Sequence, residues 1–266
     1  MHAFNYHKAS SVADASAKLT ASADGRLLAG GQTLIAAMKM RLSAPADVID
    51  LGGIGELRAI KSESGGISIG AMATHASVAA STEVAKAIPA LALLAGGIGD
   101  PMVRNMGTMG GSVANNDPAA DYPAAVVALG ATVVTNQRRI SGDTFFTGMY
   151  ETALKPGEII TSILFPIPKR AAYMKFKNPA SRYAMVGVFL ADTAGGMRVV
   201  VTGAGTCVFR VAEMEKALAK SFSPESVANI KVPADDLNSD LHATAEYRAH
   251  LITVMAKRAV DQANKG

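Results

Sequence analysis

Two short glycine clusters, Ala29-Gly30-Gly31-Gln32-Thr33 and Thr108-Met109-Gly110-Gly111-Ser112, carry residue types that suit anion chemistry. Glycine lets a backbone turn sharply and come close to a ligand, so that its N–H groups can be aimed at a negative charge. Thr33, Thr108 and Ser112 add hydroxyls that can donate to phosphate-like oxygens. The first cluster follows the short apolar run Leu27-Leu28-Ala29 and precedes a helical pattern through Leu34, Ile35, Met38 and Leu42. Such a strand, turn and helix start places unpartnered amides at the positive end of a helix dipole. A lone Gly-Gly pair is most often an ordinary tight turn, so it is the second cluster that gives the first its weight.

That second cluster sits in the stretch 98–123, which has loop composition but few charges. Gly107, Gly110, Gly111 and Pro118 exclude one continuous regular element. Long irregular segments inside a domain are usually functional or disordered, and the low charge argues against disorder. The reading is an ordered loop whose amides surround a ligand. After it, Asp117-Pro118 reads as a helix start, with Asp117 at the N-cap and Pro118 at the first helical position. Asp121, in the first turn, either complements the helix dipole or points back into the loop to accept from a ligand.

Other chemistries are poorly supported. His2, His7, His75, His242 and His250 lack zinc-ligand spacing and read as surface or core histidines. Neither a Walker loop nor a Gly-x-Ser-x-Gly elbow is present. Asp117 and Asp121 read as caps before they read as a carboxylate pair. Val199 to Val201, Thr202 and Gly203-Ala204-Gly205 form an apolar strand ending in Gly-x-Gly, but Val208 stands where a dinucleotide fingerprint needs glycine. Cys207 is the only thiol, so the chain forms no internal disulfide, cannot alone hold a four-cysteine cluster, and reads as a small buried apolar residue.

The elements that must position these residues follow from pattern. The chain has 266 residues, room for about two domains. Hydrophobic residues make up 49% and charged ones 18%, a lean polar surface whose excess is expected to face partner subunits. Helices are expected at 11–22, from Thr74 to Ala80, at 84–95, 211–220, 224–230 and 243–264. Short strands are expected at 27–29, 48–51, 57–61 and 67–70, then at 132–135, 159–165, 172–176, 183–191 and 197–203. Strand runs followed by helix runs indicate α+β. The basic group Lys169, Arg170, Lys175, Lys177 and Arg182 reads as a solvated or anion-facing strip, and nucleic acid is not expected as a partner. No apolar run approaches the roughly 18 residues of a membrane span, and no signal peptide pattern opens the chain, which is read as cytoplasmic with at most peripheral contact at the inner face of a membrane.

The two clusters, in order with Asp100-Pro101-x-Val-Arg-Asn, Asp117-Pro118-Ala119-Ala120-Asp121, Pro156-Gly157-Glu158, Lys175-Phe176-Lys177 and Tyr183-Ala184, resemble the flavin-binding medium subunit of molybdenum hydroxylases. The resemblance covers nearly the whole chain. It implies an α+β fold: a two-part FAD-binding domain of the vanillyl-alcohol-oxidase/PCMH type over 1–168, with subdomains of about 1–55 and 56–168, then a smaller C-terminal domain over 169–266. It implies non-covalent FAD, with its diphosphate held by the amides of residues 29–33 and 108–112 and by the hydroxyls of Thr33, Thr108 and Ser112. Asp121 would bind the adenosine part, while Ile160, Lys177 and Tyr183 would lie by the flavin. Thr33 stands where serine is frequent and Met109 where isoleucine is; both keep the chemistry. The resemblance further implies a large subunit with molybdenum–pterin, a small subunit with [2Fe–2S] clusters, a dimer of heterotrimers and an external electron acceptor. Two other readings are a flavin-free assembly subunit and a nucleotide-dependent oxidoreductase built on Gly203-x-Gly205.

Overall fold

The computed structural model describes residues 1–265. Its first layer is a parallel sheet of Asn5–Lys8 (β1), Gly25–Leu28 (β2) and Asp47–Asp50 (β3), in the order β1-β3-β2. Parallel strands need crossovers, and Val12–Ala21 (α1) and Leu34–Lys39 (α2) provide them. α1 begins as its sequence requires, with Ser11 Oγ accepting from the Asp14 N–H at 3.1 Å. Ala9, Ala15, Ile49, Leu51, Ile54 and Leu57 close a small core together with Met72 and Ile159 of the next layer.

That second layer is an antiparallel sheet of Ile60–Glu63 (β4), Gly66–Gly70 (β5), Thr132–Thr135 (β6), Arg139–Ser141 (β7) and, after the small hairpin Phe146–Gly148 (β8) and Glu151–Thr152 (β9), Ile160–Pro166 (β10). Its order is β4-β5-β10-β6-β7. Between β5 and β6 the chain makes six short helices: His75–Ala80 (α3), Thr82–Ala87 (α4), Pro89–Gly96 (α5), Pro101–Met106 (α6), Met109–Asn115 (α7) and Tyr122–Ala128 (α8). Gly142–Phe145 (α9) joins β7 to β8. Their apolar faces build the largest core around Leu91, Leu94, Met109, Tyr122, Phe145 and Phe165.

The third layer is the antiparallel sheet Arg170–Lys177 (β11), Ala184–Thr193 (β12), Gly196–Thr202 (β13) and Phe209–Arg210 (β14), followed by Ala212–Lys220 (α10), Pro224–Ala228 (α11) and Ala245–Lys265 (α12). Strand side chains alternate between faces. On β12, Val186, Val188 and Leu190 pack toward α10, α11 and α12, whereas Phe189 and Ala191 join the central core. β11 divides the same way, with Ala172, Met174 and Phe176 toward those helices and Ala171 and Tyr173 toward the center. The third sheet is therefore buried on both sides.

Four sequence expectations change. The expected irregular stretch is largely helical: Asp100 caps α6 through the Val103 N–H at 2.8 Å and Thr108 caps α7 through the Gly111 N–H at 3.1 Å. The helix expected over 84–95 breaks at Ile88 (φ −141°, ψ 73°), because Pro89 lacks an N–H and excludes helical geometry before it. Residues 55–58 form a 3-10 turn rather than a strand, which buries Leu57 while its carbonyl accepts from Met72 N–H at 2.8 Å. The helix expected from Asp117 starts at Tyr122 instead. The Pro118 and Ala120 carbonyls that a continuing helix would use accept instead from Gly203 N–H at 2.8 Å and Thr202 Oγ1 at 2.6 Å.

Glu158 locks the start of β10. Its fully buried carboxylate accepts from Arg138 Nε at 2.9 Å, Thr135 Oγ1 at 2.8 Å and Lys155 N–H at 2.8 Å. The Arg138 guanidinium, helped by the other two donors against the cost of burial, holds this carboxyl down from 4.5 to about 2. A carboxylate held low stabilizes the fold fully above its ordinary value and loses that contribution as pH falls toward 2. Glu158→Gln is expected to cost about 2 kcal/mol near neutral pH. Thermal denaturation as a function of pH should show the gap to the unmodified protein closing between 4.5 and about 2.

Candidate functional site

The first glycine loop leaves β2 and turns through Gly31, whose φ of +74° is left-handed, into Thr33 at the N-cap of α2. The Thr33 side chain makes no capping bond. Among the described residues, the N–H groups of Gly30, Gly31, Gln32 and Thr33 meet no protein acceptor. This turn therefore has four open amides and a hydroxyl at one place.

The second loop comes to the same place. Gly30 lies so close to the Met106 carbonyl and Gly107 Cα that a Cβ there would overlap them. Gly111 faces Ala29 across the gap, with a Cβ built on Gly111 falling 3.5 Å from that of Ala29. Four of the five amides of the second loop are already bonded within the fold: Met109 N–H to Ala73 O at 2.9 Å, Gly110 N–H to Ala71 O at 2.8 Å, Gly111 N–H to Thr108 Oγ1 at 3.1 Å, and Ser112 N–H to Thr108 O at 3.0 Å. This loop therefore presents the Thr108 N–H and the Ser112 and Thr108 hydroxyls at a bare helix start, with its other amides engaged within the fold.

Both loops line one cleft of about 680 Å³, a size that accommodates a small-molecule ligand. Twelve of the fourteen residues singled out in the sequence border it: Ala29, Gly30, Gly31, Gln32, Thr33, Thr108, Gly110, Gly111, Ser112, Asp121, Ile160 and Tyr183. Met109 does not, because its side chain is fully buried in the central core. Lys177 does not either: the register shifts between Phe176 and Lys177, and Lys177 is left exposed at the strand end. Lys175, two residues earlier, is the lysine that reaches the site, donating to Asp121 at 3.0 Å and to Gly97 O at 3.0 Å.

Several lining residues carried no sequence signal. Arg26 borders the wall, joined by Arg182 of the basic strip expected from the sequence, and Leu27, Ile98, Val103 and Leu154 make it partly apolar. His75 lines it as well, 5% exposed, with its ring tilted at 5.4 Å from that of Tyr122. Burial, with the nearby Arg104 charge, pushes the His75 imidazole from 6.5 down to about 4, so the floor is neutral there. At the mouth, Tyr183 is 48% exposed and its hydroxyl is pushed up by burial and the Asp117 carboxylate.

The competing Gly203-x-Gly205 turn is structural. Gly203 has φ +83°, a Cβ there would overlap the Ala184 carbonyl, and β14 rather than a helix follows it. Cys207 is half-buried, against the expectation of full burial, because it sits in the loop beside the Asn116 amide.

Residues 2–168 match the family model described as the FAD binding domain in molybdopterin dehydrogenase. The chain belongs to this family. It is 35% identical to the nicotine 6-hydroxylase medium subunit of Paenarthrobacter nicotinovorans, over 98% of this chain and 97% of that one. It is equally 35% identical to the carbon monoxide dehydrogenase medium chain of Afipia carboxidovorans, over 98% of this chain and 96% of that one. The crystal structure of quinoline 2-oxidoreductase from Pseudomonas putida 86 contains a similar chain, with a TM-score of 0.91 and 28% identity over 99% of this chain and 98% of that one. The chain is accordingly an FAD-binding subunit of the molybdenum hydroxylase class of oxidoreductases, and its fold is α+β.

The donor set of the cleft fits FAD. Four open amides and neighboring hydroxyls suit a diphosphate, a buried carboxylate suits hydroxyl or amine donors, and apolar walls suit two ring systems. Because Gly30 brings the two loops together, Gly30→Ala is expected to force them apart and weaken FAD retention at least about tenfold. Gly55→Ala, with nothing within 4 Å of a built Cβ, serves as the control and should retain flavin fully. The ratio of flavin to protein absorbance after gel filtration reads both.

Proposed function

We propose that this chain is the FAD-carrying medium subunit of a molybdenum hydroxylase complex whose substrate is oxidized in a partner subunit. One observation carries the reading: two loops eighty residues apart in sequence close on one cleft, and one of them has four open amides. Residues 29–33 cradle the diphosphate through their N–H groups and the Thr33 hydroxyl. Thr108 and Ser112 close on it from the other side, with Gly110 and Gly111 admitting the ligand close to the start of α7. Asp121 accepts from the adenosine part, and Ile160 and Tyr183 border the flavin ring. Met109 supports the second loop from the core, and Lys177 keeps a place near the flavin end only through the strand it terminates.

Bound FAD supplies a center that takes up electrons singly or in pairs and passes them on. The chain's own part is to hold that group, orient its ring and exclude water from it. The lone Cys207 cannot provide a four-thiolate cluster, so the [2Fe–2S] clusters belong to a small subunit and the molybdenum–pterin to a large one. The complex is a dimer of such heterotrimers in the cytoplasm, delivering electrons to an external acceptor. No helix among the described residues is long and apolar enough to cross a membrane. We divide the chain into a flavin domain over 1–168, with parts of about 1–55 and 56–168, and a C-terminal domain over 169–266.

Heat denaturation of the purified complex should release stoichiometric FAD, identified by its fluorescence and chromatographic mobility. Removing the flavin should abolish electron delivery to the acceptor while size-exclusion chromatography still shows an assembled complex, and added FAD should restore delivery. Undiminished delivery by the flavin-free complex would make the chain an assembly subunit instead.

A further inference from the structure

Asp121 sits at the N-cap of α8, where an aspartate ordinarily bonds the backbone amides of the first turn. It makes no such bond. Its carboxylate is instead taken by two donors from β11: the Tyr173 hydroxyl and Lys175 Nζ, the latter at 3.0 Å. The pair is nearly sealed, with side-chain exposures of 8% for Lys175 and 5% for Asp121. Lys175 also donates to the carbonyl of Gly97 at the C-terminal end of α5, where the helix dipole favors a cation.

The partners of Asp121 are themselves fixed. The Tyr173 ring stacks on Phe189 at 5.8 Å, and its hydroxyl occupies the space a Cβ on Gly187 would fill. Both donors lie on the face of β11 that packs against the central core, as the two-residue repeat of a strand requires. A carboxylate offers about four lone-pair sites. Tyr173 and Lys175 leave part of that capacity unused on a group that borders the cleft. Burial pushes the Asp121 carboxyl up, while the Lys175 charge and the two hydrogen bonds oppose it.

We infer that Lys175 and Tyr173 are positioning residues for FAD, acting through Asp121, so that these two side chains of β11 set cofactor affinity without touching the cofactor. The inference rests on the reading of Asp121 as an adenosine contact. Without Lys175 the buried carboxyl loses its counter-charge and its orientation, and the acceptor presented to the cofactor is lost with them.

The test is a double-mutant cycle on the full chain in its flavin-free form, titrated with FAD and followed by quenching of flavin fluorescence, with circular dichroism to monitor folding. Asp121→Asn and Lys175→Met are each expected to weaken binding roughly tenfold or more, and the double variant no further than the weaker single one. Lys175→Arg should restore affinity to within about threefold, and Tyr173→Phe should cost about threefold or more with its ring packing intact. Wild-type affinity in Lys175→Met, or losses that multiply in the double variant, would overturn the inference. Wild-type affinity in Asp121→Asn would overturn the reading of Asp121 itself, and is distinguishable for that reason. If Lys175→Met does not fold, the same cycle run with Tyr173→Phe decides, additivity with Asp121→Asn counting against.

Discussion

The structure depends on a main-chain contact in which Gly30 of the first loop is pressed against the Met106 carbonyl and Gly107 of the second. No other residue fits at position 30, since any Cβ would occupy the carbonyl's place. A second close approach fixes the same unit from behind: Gly110 packs on Ala71, where a built Cβ would come within 2.5 Å of the alanine's own. α7 is thereby clamped between β5 and the first layer. Glycines cost entropy in a helix, and α7 contains two of them. The cost is offset because the amides of 109 and 110 are fully bonded to Ala73 and Ala71. The result is an asymmetric pair, one loop with all but the Thr108 amide bonded within the fold and the other turned outward with its amides open.

This asymmetry explains why the cleft needs three layers. The first supplies the open turn, the second the largely bonded backing and most of the apolar wall, and the third the groups that hold Asp121 and close the mouth at Ser181, Arg182 and Tyr183. The third sheet can do this because it is buried on both faces, so that one face of β11 and β12 faces the second layer while the other takes the helices α10, α11 and α12. Even the apparent nucleotide motif at Gly203 belongs to this contact, its N–H bonded to Pro118 O next to the site.

Local features were legible in the sequence wherever a short-range rule governs. Ser11 and Thr74 cap their helices as read, and the strands at 132–135 and 183–203 fall within a residue or two of their expected places. The glycine loops were legible because glycine has a specific backbone use. The misreadings share one cause, a distant partner. Pro118 and Ala120 look like a first turn until β13, some eighty residues on, takes their carbonyls. Lys175 and Lys177 are equivalent by composition, and only the register shift in β11 separates the buried one from the exposed one. The second loop looks irregular where its glycines count as helix breakers, whereas Asp100 and Thr108 cap α6 and α7.

The charges of the cleft follow from the same geometry. A diphosphate bound as proposed brings two negative charges, and beside the half-buried Asp117 two buried acids, Asp121 and Glu158, border the cleft. Left unpaired they would repel the ligand and be costly to bury. Each is matched by a cation from another segment, Asp121 by Lys175 and Glu158 by Arg138. His75, neutral in its buried position, adds no charge of either sign. The balance leaves the open amides and Arg182 as the uncompensated positive features of the cleft, since Arg26 pairs with Asp24 at 3.7 Å. The proposed anion binding thus depends on backbone direction more than on net charge, which accords with three carboxylates, Asp117, Asp121 and Glu158, lining the cleft.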